Sequence, residues 1–163
     1  MASQTELAYN IASMRLSGTI DGTEINAIAW SGGRGGTKTA GADSLIIKNN
    51  PFLTGLKHDE KKKESIGGPL PMGIYSLRLH ESKSNWIRLI GKDITNAHGR
   101  SGFAIHGRGP EGSQGCIVPD DFKVVQSIYK LVKARKDAAK PEILLKVYAI
   151  GDLDYYEKLL SIS

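Results

Sequence analysis

The chain has 163 residues, a formal net charge of +5 and an isoelectric point near 9.3, and a single domain over residues 1–163 is expected from that length. Its 40% hydrophobic and 24% charged residues are typical of a globular protein rather than a disordered one. The modest basic charge is compatible with an acidic partner, such as nucleic acid or a carboxylate-rich cell wall, and equally with solubility alone. The sequence contains no nucleic-acid motif and no apolar run long enough to span a bilayer, so neither a nucleic-acid partner nor a membrane span is predicted.

The N-terminal third is predicted to contain a β-hairpin. Two short runs of β type, Met14–Ile20 and Glu24–Trp30, flank the dipeptide Asp21-Gly22. An Asp-Gly pair between two such runs is a strong hairpin signal, because both residues tolerate the positive φ of a tight turn.

A glycine-rich stretch over residues 31–39 invites comparison with a phosphate-binding loop. Such a loop needs Gly-Lys-Ser/Thr after its glycines, but here Thr37 separates Gly36 from Lys38. A surface loop is therefore the favoured interpretation. The charge cluster at residues 57–64 is interpreted in the same way, as a solvated loop or helix face.

The rest of the chain alternates strands with one substantial helix. Glycines and prolines over Gly67–Tyr75 predict a rigid turn that leads into a strand. The predicted elements are strands at Ile74–His80, Trp86–Ile90, Gly102–His106 and Glu142–Ile150, a helix at Asp120–Lys136 capped by Asp120 or Asp121, and a short helix near Tyr155–Leu160. The pattern is mostly β.

The segment that carries chemistry contains the single cysteine of the chain, Cys116, ten positions after His106. A thiolate is a strong nucleophile, and a neighbouring imidazole can take the thiol proton and later return it to a leaving amine. Glycines between the two residues leave room for a peptide substrate. The backbone N–H groups near Gly115 and Cys116 are suited to an oxyanion hole.

Two motifs in this chain resemble the signature of the L,D-transpeptidase family, the YkuD-type domain. Ile105-His106-Gly107 followed by Ser113-Gln114-Gly115-Cys116-Ile117 is similar to its active-site pattern, a His-Gly on a strand and then Ser-x-Gly-Cys before an apolar residue. Upstream, Gly68-Pro69-Leu70-Pro71-Met72-Gly73-Ile74-Tyr75 is similar to a Gly-Pro-x-Pro-x-Gly-x-Tyr stretch of the same family. The resemblance implies a mostly-β, sandwich- or barrel-like fold with one main α-helix after the cysteine.

The chain departs from the usual family pattern at two points. Gln114 stands where a histidine is common, and the interval from His106 to Cys116 is shorter than in the housekeeping enzymes. Both features resemble the short L,D-transpeptidase-like toxins that type VI secretion delivers into rival bacteria.

The resemblance implies the reaction, the substrate and the residue roles. The activity would be L,D-carboxypeptidase cleavage of the diaminopimelate–D-alanine bond of peptidoglycan stem tetrapeptides, exchange of that D-alanine for another D-amino acid, or both. Cys116 would form the acyl-enzyme, and His106 would act as base and then as acid. The remaining predicted roles are the oxyanion hole for Gly115, orientation of the imidazole for the Gly107 carbonyl, the turn for Ser113, and substrate binding for Arg108 and Gln114. No cofactor is implied.

Three alternatives remain open at this stage. A metal site built from His98, His106 and Cys116 is conceivable, but no ligand pair has a recognised zinc spacing, so no metal is predicted. A different Cys–His hydrolase, an amidase or endopeptidase acting on another wall bond, uses the same residues. A wall-binding module without catalysis is compatible with the basic charge.

The N-terminal residues show no charged segment followed by an apolar one, so no signal peptide is predicted. We therefore expect synthesis in the cytoplasm, export by a specialised system and action in the periplasm of a target cell. Toxins of this kind usually have a cognate immunity protein, which is the expected protein partner.

Overall fold

A computed structural model describes residues 5–33, 48–54, 67–94, 100, 102–107 and 115–160 of the chain. Eight strands within these residues form a closed barrel in the order β1-β2-β3-β7-β6-β5-β4-β8. The strands are β1 (Glu6–Asn10), β2 (Arg15–Ile20), β3 (Thr23–Ser31), β4 (Gly73–Leu79), β5 (Ile87–Ile94), β6 (Ala104–Ile105), β7 (Ile117–Pro119) and β8 (Leu144–Tyr148). A 3₁₀ helix (Pro51–Leu53) precedes β4.

The predicted hairpin is confirmed as the antiparallel pair β2–β3, with Ile20 opposite Thr23. Asp21 and Gly22 form its turn with φ values of +47° and +83°. Both angles are positive, as a two-residue turn that follows the twist of the strands requires. The Asp21 carboxylate also accepts a hydrogen bond of 2.7 Å from Arg135, which ties this turn to the main helix.

The barrel closes where the two ends of the chain meet. β1 pairs antiparallel with β2 and parallel with β8, and β8 pairs antiparallel with β4. Alternate residues of β1 and β8 point inward, so Leu7, Tyr9, Leu145 and Val147 are buried in the core. Closure leaves the sheet without a free edge.

The main helix, α1 (Phe122–Asp137), follows β7 directly and confirms the predicted helix. Asp121 caps it, since its carboxylate accepts the backbone N–H of Lys123 at 2.9 Å. The buried face consists of Val125, Ile128 and Val132, which belong to the same core as the barrel interior. A second helix, α2 (Leu153–Leu160), follows β8.

The architecture is therefore mostly β, a barrel with one main helix after Cys116, as predicted at the level of fold class. No helix within the described part of the chain is long and apolar enough to cross a bilayer.

Candidate functional site

The candidate site lies where two short parallel strands, β6 and β7, run side by side. Ile105 pairs with Ile117, and the backbone N–H of His106 donates to the carbonyl of Ile117 at 3.1 Å. In this register Ala104 lies opposite Cys116, and His106 lies two residues beyond Ala104 on the same chain segment. Side chains alternate along strands, so His106 and Cys116 share the sheet face opposite to the core residues Ile105 and Ile117.

The register also limits how far apart the two residues are. A rise of 3.3 Å per residue and a strand separation of 4.8 Å place their Cα atoms roughly 8 Å apart. An imidazole and a thiol at that separation on one face can approach each other. The fold thus brings the predicted base and nucleophile to neighbouring strands, although they are ten positions apart in sequence.

His106 is 2% exposed and lies flat against Trp86. The two ring centroids are 4.2 Å apart and the planes differ by 5°, a stacked pair. The Nζ of Lys83 lies 4.3 Å from the centroid of Trp86. Since His106 covers one face of the indole, the lysine covers the other. Trp86 therefore fixes the plane of the candidate base.

A tight turn holds Trp86 in that position. It connects β4 to β5 and begins at His80, whose Nδ1 accepts the backbone N–H groups of Ser82 and Lys83 at 3.1 and 3.0 Å. The His80 N–H in turn donates to the Trp86 carbonyl at 3.2 Å. Sequence reasoning placed His80 at a strand end but did not find its connection, through Trp86, to His106.

Cys116 is 8% exposed, and its thiol makes a weak contact of 4.0 Å to the Gly102 carbonyl. The preceding residue, Gly115, has a φ of +103°, a conformation that other L-residues rarely adopt. A Cβ at Gly115 would lie 2.5 Å from Nη2 of Arg100 and 2.9 Å from the Phe103 ring. Glycine is therefore required at this position both for its backbone angle and for its small size.

Arg100, like Trp86, is a residue of the site that sequence reasoning missed. Only 7% of it is exposed, and its guanidinium donates to three backbone carbonyls: Thr54, Pro69 at 2.7 Å and Gly68 at 2.8 Å. Burial lowers the pKa of this arginine, while the nearby Tyr75 and Cys116 act in the opposite direction. An arginine stays protonated under such a shift. A fixed positive charge thus lies within electrostatic range of the thiol.

Arg100 also joins the two segments that carry the motifs. The Gly68–Tyr75 stretch contacts it through the carbonyls of Gly68 and Pro69, and Gly115 packs against its Nη2. Tyr75 donates to the Pro71 carbonyl at 2.6 Å, and burial raises the pKa of its hydroxyl far above the usual range, against a smaller lowering by Arg100. Only the spatial structure shows this junction, because an isolated arginine in a polar segment carries no recognisable sequence signal.

The other predicted site residues divide into two groups. Gly107 is half-buried beside Phe122, whose ring would overlap any Cβ at that position, so the first turn of α1 closes over this backbone. The assigned roles of Gly107 and Gly115 in orientation and in the oxyanion hole stay predictions. The predictions for Arg108, Ser113, Gln114, His58, His98 and the segments 34–39 and 57–64 lie outside the described residues.

The described residues contain no group of three or more His, Cys, Asp or Glu side chains arranged to hold a metal ion. No protein-family model matches the chain. No match is found among curated proteins or among solved structures either. The likeness to the L,D-transpeptidase family thus rests on the motifs alone.

Proposed function

We propose that this protein is a cysteine enzyme of the L,D-transpeptidase type that acts on the stem tetrapeptides of peptidoglycan. The observation that supports this most is the common sheet face shared by Cys116 and His106. A thiol and an imidazole on adjacent strands, with the imidazole stacked on Trp86, are the two groups that thiol-based acyl transfer needs. The family motifs supply the substrate class.

In the proposed reaction, the Cys116 thiolate attacks the carbonyl carbon at the L-centre of diaminopimelate, and His106 holds the thiol proton. Backbone N–H groups near Gly115 and Cys116 stabilise the tetrahedral oxyanion. When the amide bond breaks, the imidazolium gives its proton to the departing D-alanine amine, leaving a thioester. Water then attacks the thioester, giving the tripeptide, or a D-amino acid attacks it, giving an exchanged tetrapeptide.

The biological setting is part of the proposal. An enzyme that trims or exchanges stem peptides weakens a growing wall, so the protein would act as an antibacterial toxin in the periplasm of a target cell. A producing cell would then need a cognate immunity protein. Expression with and without a periplasmic targeting signal tests this setting, since killing should require both the signal and Cys116.

The decisive experiment uses purified protein and disaccharide tetrapeptide, with and without an added D-amino acid, with products identified by mass spectrometry. Cys116→Ser is the matched variant, because it changes one sulfur to oxygen in a nearly unchanged volume. Loss or exchange of the terminal D-alanine in the wild-type protein, but not in the serine variant, is the expected result. His106→Ala should abolish turnover as well.

Other outcomes would assign a different reaction. Cleaved cross-links or a released stem peptide would identify an amidase or endopeptidase that uses the same Cys–His pair. Unchanged muropeptides, together with retention of the protein on insoluble wall, would contradict catalysis and favour a binding module. Thermal melts of each variant establish that lost activity is not lost folding.

A further inference from the structure

The guanidinium of Arg100 packs against the backbone that presents Cys116. Its Nη2 lies only 2.5 Å from where a Cβ of Gly115 would be, which leaves no room for another side chain or a solvent layer between the arginine and this residue. Phe103 completes the contact, with its ring 5.4 Å from the guanidinium carbon. Any shift of Arg100 would therefore be transmitted to the residue beside the nucleophile.

The position of Arg100 is set by hydrogen bonds from distant parts of the chain. Nη1 donates to Thr54 and Pro69, and Nη2 donates to Gly68. Three acceptors around a planar fork determine the orientation of the group, which a flexible lysine ammonium would not match. The charge is thus held in one place rather than sampling many rotamers.

Few ionisable groups surround Cys116 among the described residues. His106 comes from the end of β6, Arg100 from the segment before it, and Tyr75 of β4 lies within electrostatic range of Arg100. Lys48 lies over Trp30 of the neighbouring strand β3, 5.9 Å from the ring centroid. On α1, the first-turn region carries Asp121 and Lys123, both exposed to solvent. Arg100 is the cation among them that is both buried and within electrostatic range of the thiol.

We propose that Arg100 is a positioning residue for the nucleophile: it holds Gly115 and Cys116 in place and supplies a fixed positive charge that favours the thiolate. This inference rests on the proposed role of Cys116 as nucleophile. A cation within electrostatic range of a thiol favours the thiolate, against the opposite effect of burial. Arg100 therefore increases the fraction of Cys116 present as thiolate with its proton on His106, and His106 then gives that proton to the leaving group.

The chain offers a direct test, because Cys116 is its single cysteine and alkylation by iodoacetamide reports on that thiol alone. The alkylation rate is measured against pH for the wild-type protein, Arg100→Gln and Arg100→Lys. Arg78→Gln is the matched control, because it likewise removes one arginine charge. Arg78 is exposed on β4, where its partner is Glu142. Melting curves accompany each variant.

The alkylation midpoint is the pH at which the alkylation rate is half its maximum. We expect this midpoint to be higher in Arg100→Gln than in the wild type by about one pH unit or more, the usual effect of removing a nearby opposite charge. At a pH below both midpoints, one unit corresponds to a roughly tenfold slower reaction. Arg100→Lys keeps the charge and should recover part of the shift, and Arg78→Gln should match the wild type. A folded Arg100→Gln protein with the wild-type midpoint would overturn the proposal.

His106→Ala keeps the proposal testable if Arg100→Gln does not fold. Adding Arg100→Lys to His106→Ala should raise the alkylation midpoint further, since the ammonium fits the three carbonyls less well than the guanidinium and Arg100 still favours the thiolate without His106. An unchanged midpoint in that background would assign the whole effect to His106 and contradict the proposal. None of these measurements uses peptidoglycan, so a low midpoint without tetrapeptide turnover would refute the substrate assignment and leave the role of Arg100 intact.

Discussion

Gly115→Ala tests the packing around Cys116 most directly. The substitution places a Cβ on a residue with a φ of +103°, within 2.5 Å of Arg100 and 2.9 Å of Phe103. Backbone strain of this kind costs about 1–3 kcal/mol, and overpacking in a full site costs a similar amount, about 1–3 kcal/mol. The free energy of unfolding should therefore fall by about 2–6 kcal/mol, out of the roughly 5–15 kcal/mol typical of a domain.

Thermal unfolding followed by circular dichroism measures this loss. For a chain of this size, each kcal/mol lowers Tm by roughly 2–4 °C, so a decrease of at least about 4 °C is expected. Iodoacetamide labelling of the surviving folded fraction gives a second readout, because a displaced Arg100 should slow the reaction of Cys116.

Gly22→Ala is the matched control for Gly115→Ala. Gly22 has a comparable φ of +83°, but nothing lies within 4 Å of the position its Cβ would occupy. It therefore carries the backbone strain of about 1–3 kcal/mol without the overlap. Equal Tm values for the two alanine variants would refute the conclusion that Arg100 and Phe103 press on Gly115, and a wild-type Tm for Gly115→Ala would refute the strain as well.

Three further predictions concern the helix cap, alkaline stability and the candidate base. Asp121→Ala removes the cap of α1 and should lower the free energy of unfolding in urea by about 0.5–2 kcal/mol, whereas Asp121→Asn should lower it less. Because burial raises the pKa of Tyr75 in the folded state, the contribution of this residue to the free energy of unfolding should be complete below about pH 10 and decline above it. Tyr75→Phe, which also loses the bond to Pro71, should remove that decline. Urea melts in which the variant shows the same alkaline decline as the wild type would contradict this. Trp86→Ala frees the imidazole of His106 and should lower kcat/KM on tetrapeptide by about two- to tenfold, since an aromatic stack contributes about 0.5–1.5 kcal/mol. Trp86→Phe should lie in between, and full activity in the alanine variant would exclude the orienting role.

Local patterns were sufficient for the elements that pair with a neighbour in sequence. The hairpin around Asp21-Gly22, the neighbouring strands β4 and β5, and the helix after Pro119 were all predicted, because turn chemistry and side-chain period are local signals. The predicted final strand, Glu142–Ile150, is confirmed as the shorter β8. Strand ends were less accurate, as for Gly102–His106, of which only Ala104 and Ile105 form the strand.

Elements that depend on distant partners were not predicted. β1 has only two buried alternating residues, Leu7 and Tyr9, and it is stabilised by β8 at the other end of the chain. β7 is three residues long and pairs in parallel with the equally short β6. A strand this short shows neither a typical strand length nor a recognisable alternation of apolar and polar side chains. The closure of the barrel therefore could not be read from the sequence, although the mostly-β class could.

The candidate site shows the same division between local and distant support. On the histidine side, Trp86 and the turn that begins at His80 belong to one hairpin, β4–β5, next to β6. On the cysteine side, Arg100 draws its acceptors from residues 31 to 46 positions earlier in the chain. The two sides should respond separately to mutation: changes at Trp86 should alter proton transfer by the imidazole, and changes at Arg100 should alter ionisation of the thiol. Trp86→Ala should then shift one limb of the pH–rate profile and Arg100→Gln the other, whereas in a single coupled network each variant would shift both limbs.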